Sequence, residues 1–136
     1  MRPIALDTNT YSAFLRADPV AIKVVQKADV LQVSTVVVGE LLAGFACGKH
    51  EEHNRELLAQ FLSSSRTRAV PLTTTTADAY ALIYRGLRQR GTPIPTNDMW
   101  IAASCLEHGA ALFSYDQHFA AVEGLRWGQS LEAFLP

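Results

Sequence analysis

Cysteine and net charge are both scarce in this sequence of 136 residues, and each shortage excludes a class of protein. Cys47 and Cys105 are the only cysteines. Two are too few for a disulfide framework, so we expect both to be small, buried, apolar residues in a reducing compartment. The 12 Lys and Arg against 13 Asp and Glu leave a formal net charge of −1. No global basic field therefore attracts a polyanion, and nucleic-acid binding would need a local basic patch or bound cations.

Long apolar runs are also missing. The longest apolar stretch, residues 33–47, is interrupted by Ser34, Thr35, Gly39 and Glu40. It falls short of the roughly 18 uninterrupted apolar residues that a membrane span requires. The N-terminus reaches a charged residue too early for a signal peptide. We therefore expect a soluble protein located in the cytoplasm, with no membrane partner.

The sequence does contain enough apolar residues for a packed core. Hydrophobic residues make up 49% of the chain and charged residues 18%. Without any break in composition, one domain over residues 1–136 is expected. Predicted strands lie at residues 4–6, 30–34, 69–72, 111–114 and 125–127. Predicted helices lie at residues 11–17, 19–27, 36–47, 51–63, 76–90 and 96–108. Helix 36–47 is apolar on most faces, which predicts a buried helix. Alternating strands and helices predict an α/β fold in which helices cover both faces of a parallel sheet.

Four carboxylates converge in such a fold. Asp7 and Asp116 follow strands, Glu40 lies early in the helix after the second strand, and Asp98 lies in the first turn of a helix. In parallel sheets the functional crevice lies at the carboxyl ends of the strands. Because helices that follow these strands begin at the same edge, all four side chains can meet there.

Each aspartate also has a purely structural interpretation. Asp7, Asp98 and Asp116 are good residues for a helix cap, a first helical turn or a loop. Glu40 is different, because it stands between apolar residues, where an unpaired charge is costly to bury. The four residues together, at one sheet edge, favour the functional interpretation.

Clustered carboxylates repel one another unless cations neutralise them. Hard oxygen ligands favour Mg²⁺ or Mn²⁺ over zinc. One or two such ions can activate water and stabilise a leaving oxygen, which fits a phosphodiester substrate.

Four segments of the chain resemble the signature of the PIN domain family, in the order and spacing of the VapC toxins. These segments are Leu6-Asp7-Thr8-Asn9, Gly39-Glu40-Leu41, residues 97–103 (Asn-Asp-Met-Trp-Ile-Ala-Ala) and residues 114–119 (Ser-Tyr-Asp-Gln-His-Phe). The resemblance covers nearly the whole chain.

The resemblance implies a three-layer α/β/α sandwich with a central, mainly parallel sheet and an endoribonuclease activity that uses Mg²⁺ or Mn²⁺. The four carboxylates match the family's acidic metal-site positions. Asn9 matches a polar neighbour of the first aspartate, and Ser114 stands where threonine is common, so both would orient carboxylates and waters. Family members usually dimerise and are inhibited by a cognate antitoxin that inserts into the active-site groove. The resemblance therefore implies a homodimer, a VapB-like antitoxin and an RNA substrate.

Basic residues are concentrated between residues 63 and 95, where Asp78 is the only acid. The arginines of this stretch are Arg66, Arg68, Arg85, Arg88 and Arg90. They form either a solvated surface or a strip that contacts phosphates, because guanidinium groups pair well with phosphate oxygens. Arg85 and Arg88 are the candidates for binding RNA.

Two histidine patterns and two other functions remain as alternatives. His50 and His53 lack the further ligands that a zinc site needs, and His118 is either a substrate contact or a turn residue.

A phosphatase that forms a phosphoaspartate would need a second aspartate where this chain has Asn9. A module that binds RNA or an antitoxin without cutting would have no use for clustered acids facing a polyanion.

Overall fold

Five short parallel strands form one sheet at the centre of the protein. The computed structural model describes all of residues 1–136. The strands are β1 (Ile4–Leu6), β2 (Leu31–Ser34), β3 (Thr67–Val70), β4 (Ala111–Phe113) and β5 (Trp127–Gly128). Their order across the sheet is β3-β2-β1-β4-β5. All pairings are parallel, so the carboxyl ends of the strands share one edge, with β1 in the middle.

Six α-helices and two short 3-10 helices complete the chain. The α-helices are α1 (Thr8–Leu15), α2 (Pro19–Lys27), α3 (Thr35–Ala46), α4 (Glu51–Leu62), α5 (Thr74–Arg90) and α6 (Thr96–His108), and the 3-10 helices are Gln117–Ala121 and Leu131–Phe134. Pro19 occupies the first turn of α2, where a missing N–H removes no helical hydrogen bond. Gly91 and Gly109 end α5 and α6 in the left-handed conformation, with φ of 67° and 64°.

The central strands divide the core into two parts because their side chains alternate between the faces of the sheet. Ile4 and Leu6 of β1 join a cluster that includes Val24 of α2. Ala5, between them, joins a second cluster that includes Ile83 of α5. Helices thus pack against both faces, and the predicted three-layer α/β/α architecture is confirmed.

Helix α3 is not the buried helix that its composition predicts. Only Val37 and Leu41 are buried, while Val36, Val38 and Leu42 are half-buried. A helix at the surface of a three-layer sandwich presents one side to the core, so the remaining apolar residues of α3 stay partly exposed.

Three further expectations need correction. Cys105 is buried, but Cys47 is exposed, since it follows the last residue of α3 at the surface. Pro71 lies after β3 and not within it, so the strand keeps all its backbone donors. The last strand is Trp127–Gly128, later than the predicted 125–127. No helix in the protein combines the length and the apolar character needed to cross a membrane.

Candidate active site

Asp7 lies at the carboxyl end of β1 and is the N-cap of α1. Its Oδ1 accepts hydrogen bonds from the backbone N–H of Thr10 at 2.9 Å and from the Thr10 hydroxyl at 2.8 Å. Its Oδ2 accepts a hydrogen bond from the Ser114 hydroxyl, beyond the end of β4, at 2.5 Å. Asp7 is only 6% exposed. One oxygen of this buried carboxylate is therefore held from the first turn of α1, and the other from the residue after β4.

Glu40 reaches the same edge from α3 and is held by two donors. The Thr8 hydroxyl donates to its Oε1 at 2.5 Å, and the Asn97 amide donates to its Oε2 at 3.2 Å. Thr8 follows Asp7 and Asn97 precedes Asp98 in the chain. Glu40 thus connects the N-terminal ends of two helices that each carry an aspartate of the site, which explains how its charge is accommodated between apolar neighbours.

Asp98 and Asp116 complete the acidic group and are joined by His118. Asp116 is the N-cap of the first 3-10 helix and accepts a hydrogen bond from the backbone N–H of His118 at 2.9 Å. The His118 Nδ1 lies 2.9 Å from the Asp116 Oδ1 and 3.4 Å from the Asp98 Oδ2. The imidazole therefore contacts both carboxylates.

The surroundings of Asp98 raise the pKa of its carboxyl group above the ordinary value. The largest cause is burial, while the hydrogen bond from His118 acts in the opposite direction. The negative charges of Asp116 and Asp7 raise the pKa further. Asp98 is thus close enough to Asp116 and Asp7 for their charges to destabilise its ionised form, and the contact with His118 does not fully compensate this effect.

Ser114 and Asn9, the two residues expected to orient the carboxylates, differ in burial and in their hydrogen bonds. Ser114 is fully buried, and besides bonding Asp7 its hydroxyl accepts the backbone N–H of Asp116 at 2.9 Å. Asn9 is exposed and makes no hydrogen bond to a carboxylate. Thr10 occupies the contact with Asp7 that was expected of Asn9, because the third residue of the helix, and not the second, faces back towards its N-cap.

The donor set fits a hard divalent cation. It consists of carboxylate oxygens of graded exposure, from the buried Asp7 to the Asp98 and Asp116 side chains at 19% and 32%. Asp98, Asp116 and His118 each offer a ligand atom, and these three atoms lie within 4.8 Å of one another. Uncompensated charge together with oxygen donors is the chemistry that Mg²⁺ and Mn²⁺ satisfy.

The candidate arginine strip divides into two groups. Arg66 donates to the carbonyl oxygens of Val25 and Ala28 at the end of α2. Arg68 and Arg90 likewise bond to backbone carbonyl oxygens. These three guanidinium groups are therefore occupied within the fold. Exposed on α5, Arg85 and Arg88 make neither ion pairs nor side-chain hydrogen bonds. They are the members of the strip free to contact a ligand.

Three residues of the site were not predicted, namely Thr8, Thr10 and Asn97, and His118 was considered only as a substrate contact or a turn residue. The spacing of Asp7 and Thr10 is a helix-capping pattern, which could have indicated that contact. Thr8 and Asn97 bind Glu40 from 32 and 57 positions away. No local pattern indicates such contacts, since they depend on how three helices are placed.

Comparison with known proteins identifies the family. A model of the PIN domain matches residues 4–125. Ribonuclease VapC4 of Mycobacterium tuberculosis is 31% identical over 90 residues, 66% of this chain and 69% of that protein. The plasmid stability protein StbB of Pseudomonas syringae is 33% identical over 121 residues, 83% of this chain and 87% of that protein. The chain belongs to the PIN domain family, and its relatives place it among the VapC-type members.

Solved structures agree with this fold. The VapBC2 complex of Rickettsia felis, bound to a promoter DNA fragment, contains a chain with a TM-score of 0.81 at 24% identity, covering 93% of this chain and 97% of that one. The DNA-bound VapBC of Salmonella typhimurium gives a TM-score of 0.80 at 21% identity, covering 94% and 98%. At these identities the likeness concerns the fold alone.

Proposed function

We propose that this protein is the toxin of a type II toxin–antitoxin pair and an endoribonuclease that depends on Mg²⁺ or Mn²⁺. The observation that carries the proposal is the proximity of Asp7, Asp98 and Asp116 at the carboxyl edge of the sheet, with Glu40 joined to this group through Thr8 and Asn97. The ribonuclease named among its relatives supports RNA as the substrate.

The four carboxylates have distinct tasks in this proposal. Asp98 and Asp116 are more exposed than Asp7 and would hold the cation on the side of the substrate. Asp7, fixed by Thr10 and Ser114, binds from the buried side. Glu40 keeps the ends of α1 and α6 in position and contributes the fourth charge. A cation held by these residues would lower the pKa of a bound water for attack and would offer positive charge to the phosphate.

Cleavage assays test the proposal. Purified protein is incubated with total RNA and structured RNAs in Mg²⁺, in Mn²⁺ and in chelator, with Asp7→Asn beside the wild type. We expect cleavage only with cation and only in the wild type. Asp78→Asn is the matched control, because Asp78 is exposed on α5 and is not among the charges that act on Asp98. No cleavage by the wild type, or full activity of Asp7→Asn, would refute the proposal.

The same assays separate cleavage from binding without cleavage. A non-catalytic module would bind RNA to the same extent with and without Mg²⁺, and Asp98→Asn would leave that binding unchanged. Calorimetry of RNA binding by the wild type and Asp98→Asn, each with cation and with chelator, distinguishes the two functions.

Arg85 and Arg88 are proposed to contact RNA phosphates. Each phosphate contact on single-stranded RNA contributes about 0.7 to the slope of log affinity against log salt. The double variant Arg85→Ala/Arg88→Ala should therefore reduce that slope by about 1.4. Arg55→Ala, from the exposed surface of α4, is the control. An unchanged slope in the double variant would show that the α5 arginines are ordinary surface residues.

A VapB-like antitoxin and a second copy of the chain are the proposed protein partners. The complexes named VapBC among the structural neighbours support the first. Co-expression with the product of the adjacent reading frame should abolish RNA cleavage. Light scattering of the protein alone should give the mass of a homodimer, and a monomer would contradict the second proposal.

A further inference from the structure

His118 is the one nitrogen donor among the oxygens of the acidic edge. Its Nδ1 lies 2.9 Å from the Asp116 Oδ1 and 3.4 Å from the Asp98 Oδ2. The other histidines have no such surroundings. His50 and His53 lie on the exposed surface beside α4, and His108 is paired with the single carboxylate of Glu107.

These separations are those of ligand atoms around one cation. Ligands at about 2.1 Å from a metal lie about 3.0 Å apart along an octahedral edge and about 3.4 Å apart along a tetrahedral one. The two distances, 2.9 Å and 3.4 Å, fall within the range that separates neighbouring ligand atoms of a single cation. Nδ1 therefore already stands where a ligand would stand beside both carboxylates.

The backbone around His118 holds the ring in this place. Asp116 caps the short 3-10 helix that carries His118. The neighbouring Phe119 is 1% exposed and anchors the segment in the core. At the far end, the Arg90 guanidinium donates to the carbonyl oxygen of Ala121 at 2.8 Å. The position of the imidazole is thus set by a packed segment, although the ring itself is half-exposed.

We propose that His118 is a direct ligand of the cation held by Asp98 and Asp116, and that its nitrogen makes this site prefer Mn²⁺ to Mg²⁺. The proposal rests on the cation-dependent function proposed above and adds a donor to it. Imidazole nitrogen suits transition metals, whereas Mg²⁺ prefers oxygen ligands and retains its waters. Carboxylate oxygens alone accept both ions, so the preference for Mn²⁺ should be weaker without the nitrogen.

Cation binding measured without RNA tests the proposal. Calorimetric titration with MnCl₂ and with MgCl₂ is performed on the full chain, on His118→Ala and on the control His53→Ala, which removes a histidine from exposed α4. His118→Ala should weaken Mn²⁺ binding by about tenfold or more, the scale of losses seen when the surroundings of a metal are altered. Mg²⁺ binding should change by less than about threefold. His53→Ala should match the wild type for both ions.

Pulsed electron paramagnetic resonance of the Mn²⁺-loaded protein gives a direct second measurement. Coupling to ¹⁴N should be present in the wild type and in His53→Ala, and absent in His118→Ala. Mn²⁺ affinity unchanged by His118→Ala, or no ¹⁴N coupling in the wild type, would overturn the assignment even if RNA cleavage is intact. A wild type that neither binds cations nor cleaves RNA would instead overturn the proposed function, and this proposal with it.

Discussion

Replacing Ser114 with alanine should loosen the acidic edge without changing its charge. The hydroxyl donates to the buried Asp7 carboxylate at 2.5 Å and accepts the Asp116 backbone N–H at 2.9 Å. A hydrogen bond to a charged group contributes about 1.5–3 kcal/mol and a neutral one about 0.5–1.5 kcal/mol. The alanine variant, which removes both, should therefore be less stable by about 2–4 kcal/mol.

The corresponding change in melting temperature follows from the size of the chain. With an unfolding entropy of about 2.1 cal/mol/K per residue and 136 residues, a loss of about 3 kcal/mol lowers Tm by roughly 10 °C. Circular dichroism melts in chelator measure this, so that bound cation does not compensate. Mg²⁺-dependent RNA cleavage should fall as well, because Asp7 and Asp116 are no longer tied together.

Two variants show whether the lost hydroxyl is the cause. Ser114→Thr keeps the hydroxyl and should retain more of the stability than alanine does. Thr67→Val removes a buried hydroxyl that has no hydrogen-bond partner, so its stability should be unchanged or higher. If Ser114→Ala melts within about 2 °C of the wild type, the hydroxyl does not contribute the estimated energy. If Thr67→Val loses as much, the loss reflects packing and not hydrogen bonding.

Other substitutions test the electrostatics and packing around the site. Burial, and then nearby negative charge, raises the pKa of the Asp98 carboxyl group. The folded chain therefore keeps this proton to a higher pH than the unfolded chain does. As a result, the stability of the fold decreases as the pH rises from about 3.8 through the raised pKa. In melts across this range in chelator, Asp98→Asn should lack that fall and be more stable than the wild type near pH 7. Tyr11→Phe removes a buried hydroxyl with no partner while keeping the edge-on contact with Phe61 at 5.2 Å, so urea unfolding should show equal or greater stability, and a loss above about 1 kcal/mol would contradict this. Gly128→Ala would place a Cβ 2.2 Å from the Ala133 Cβ, so urea unfolding should show a loss of about 1–3 kcal/mol, and none if the C-terminal segment moves freely.

The positions of the acids could be predicted from the sequence because they depend on topology. A short apolar run such as Ile4–Leu6 indicates a buried strand, and the residue after it must lie at the carboxyl edge. The same reasoning places Asp116 beyond Ala111–Phe113. Pattern and chain direction are sufficient for these placements, and no knowledge of side-chain packing is needed.

The hydrogen bonds that hold Glu40 could not be predicted, since they depend on how the helices are placed relative to one another. Glu40 of α3 receives hydrogen bonds from Thr8 of α1 and Asn97 of α6, and these three helices are far apart in sequence. The partial exposure of α3 could not be predicted for a related reason. Its apolar residues occur on most faces, so periodicity does not indicate which side meets the sheet. The contact of His118 with both Asp98 and Asp116 could not be predicted either, because it depends on a 3-10 helix that is too short to have a recognisable sequence pattern.

Asp7 shows that a structural and a functional interpretation of one residue need not compete. Its Oδ1 caps α1 through Thr10, while its Oδ2 receives the Ser114 hydroxyl at the site. In Asp7→Asn the amide oxygen can keep the cap, and the amide N–H can donate to the Ser114 oxygen. The charge is lost, and a neutral hydrogen bond replaces the charged one from Ser114. This variant should lose only about 1–1.5 kcal/mol of stability, the difference between a charged and a neutral hydrogen bond, and yet lose cation binding and cleavage. Asp7→Ala also loses the cap, which costs about 0.5–2 kcal/mol more. If urea unfolding finds the two variants equally unstable, Oδ1 contributes nothing as a cap, and the two tasks of Asp7 are not divided between its oxygens.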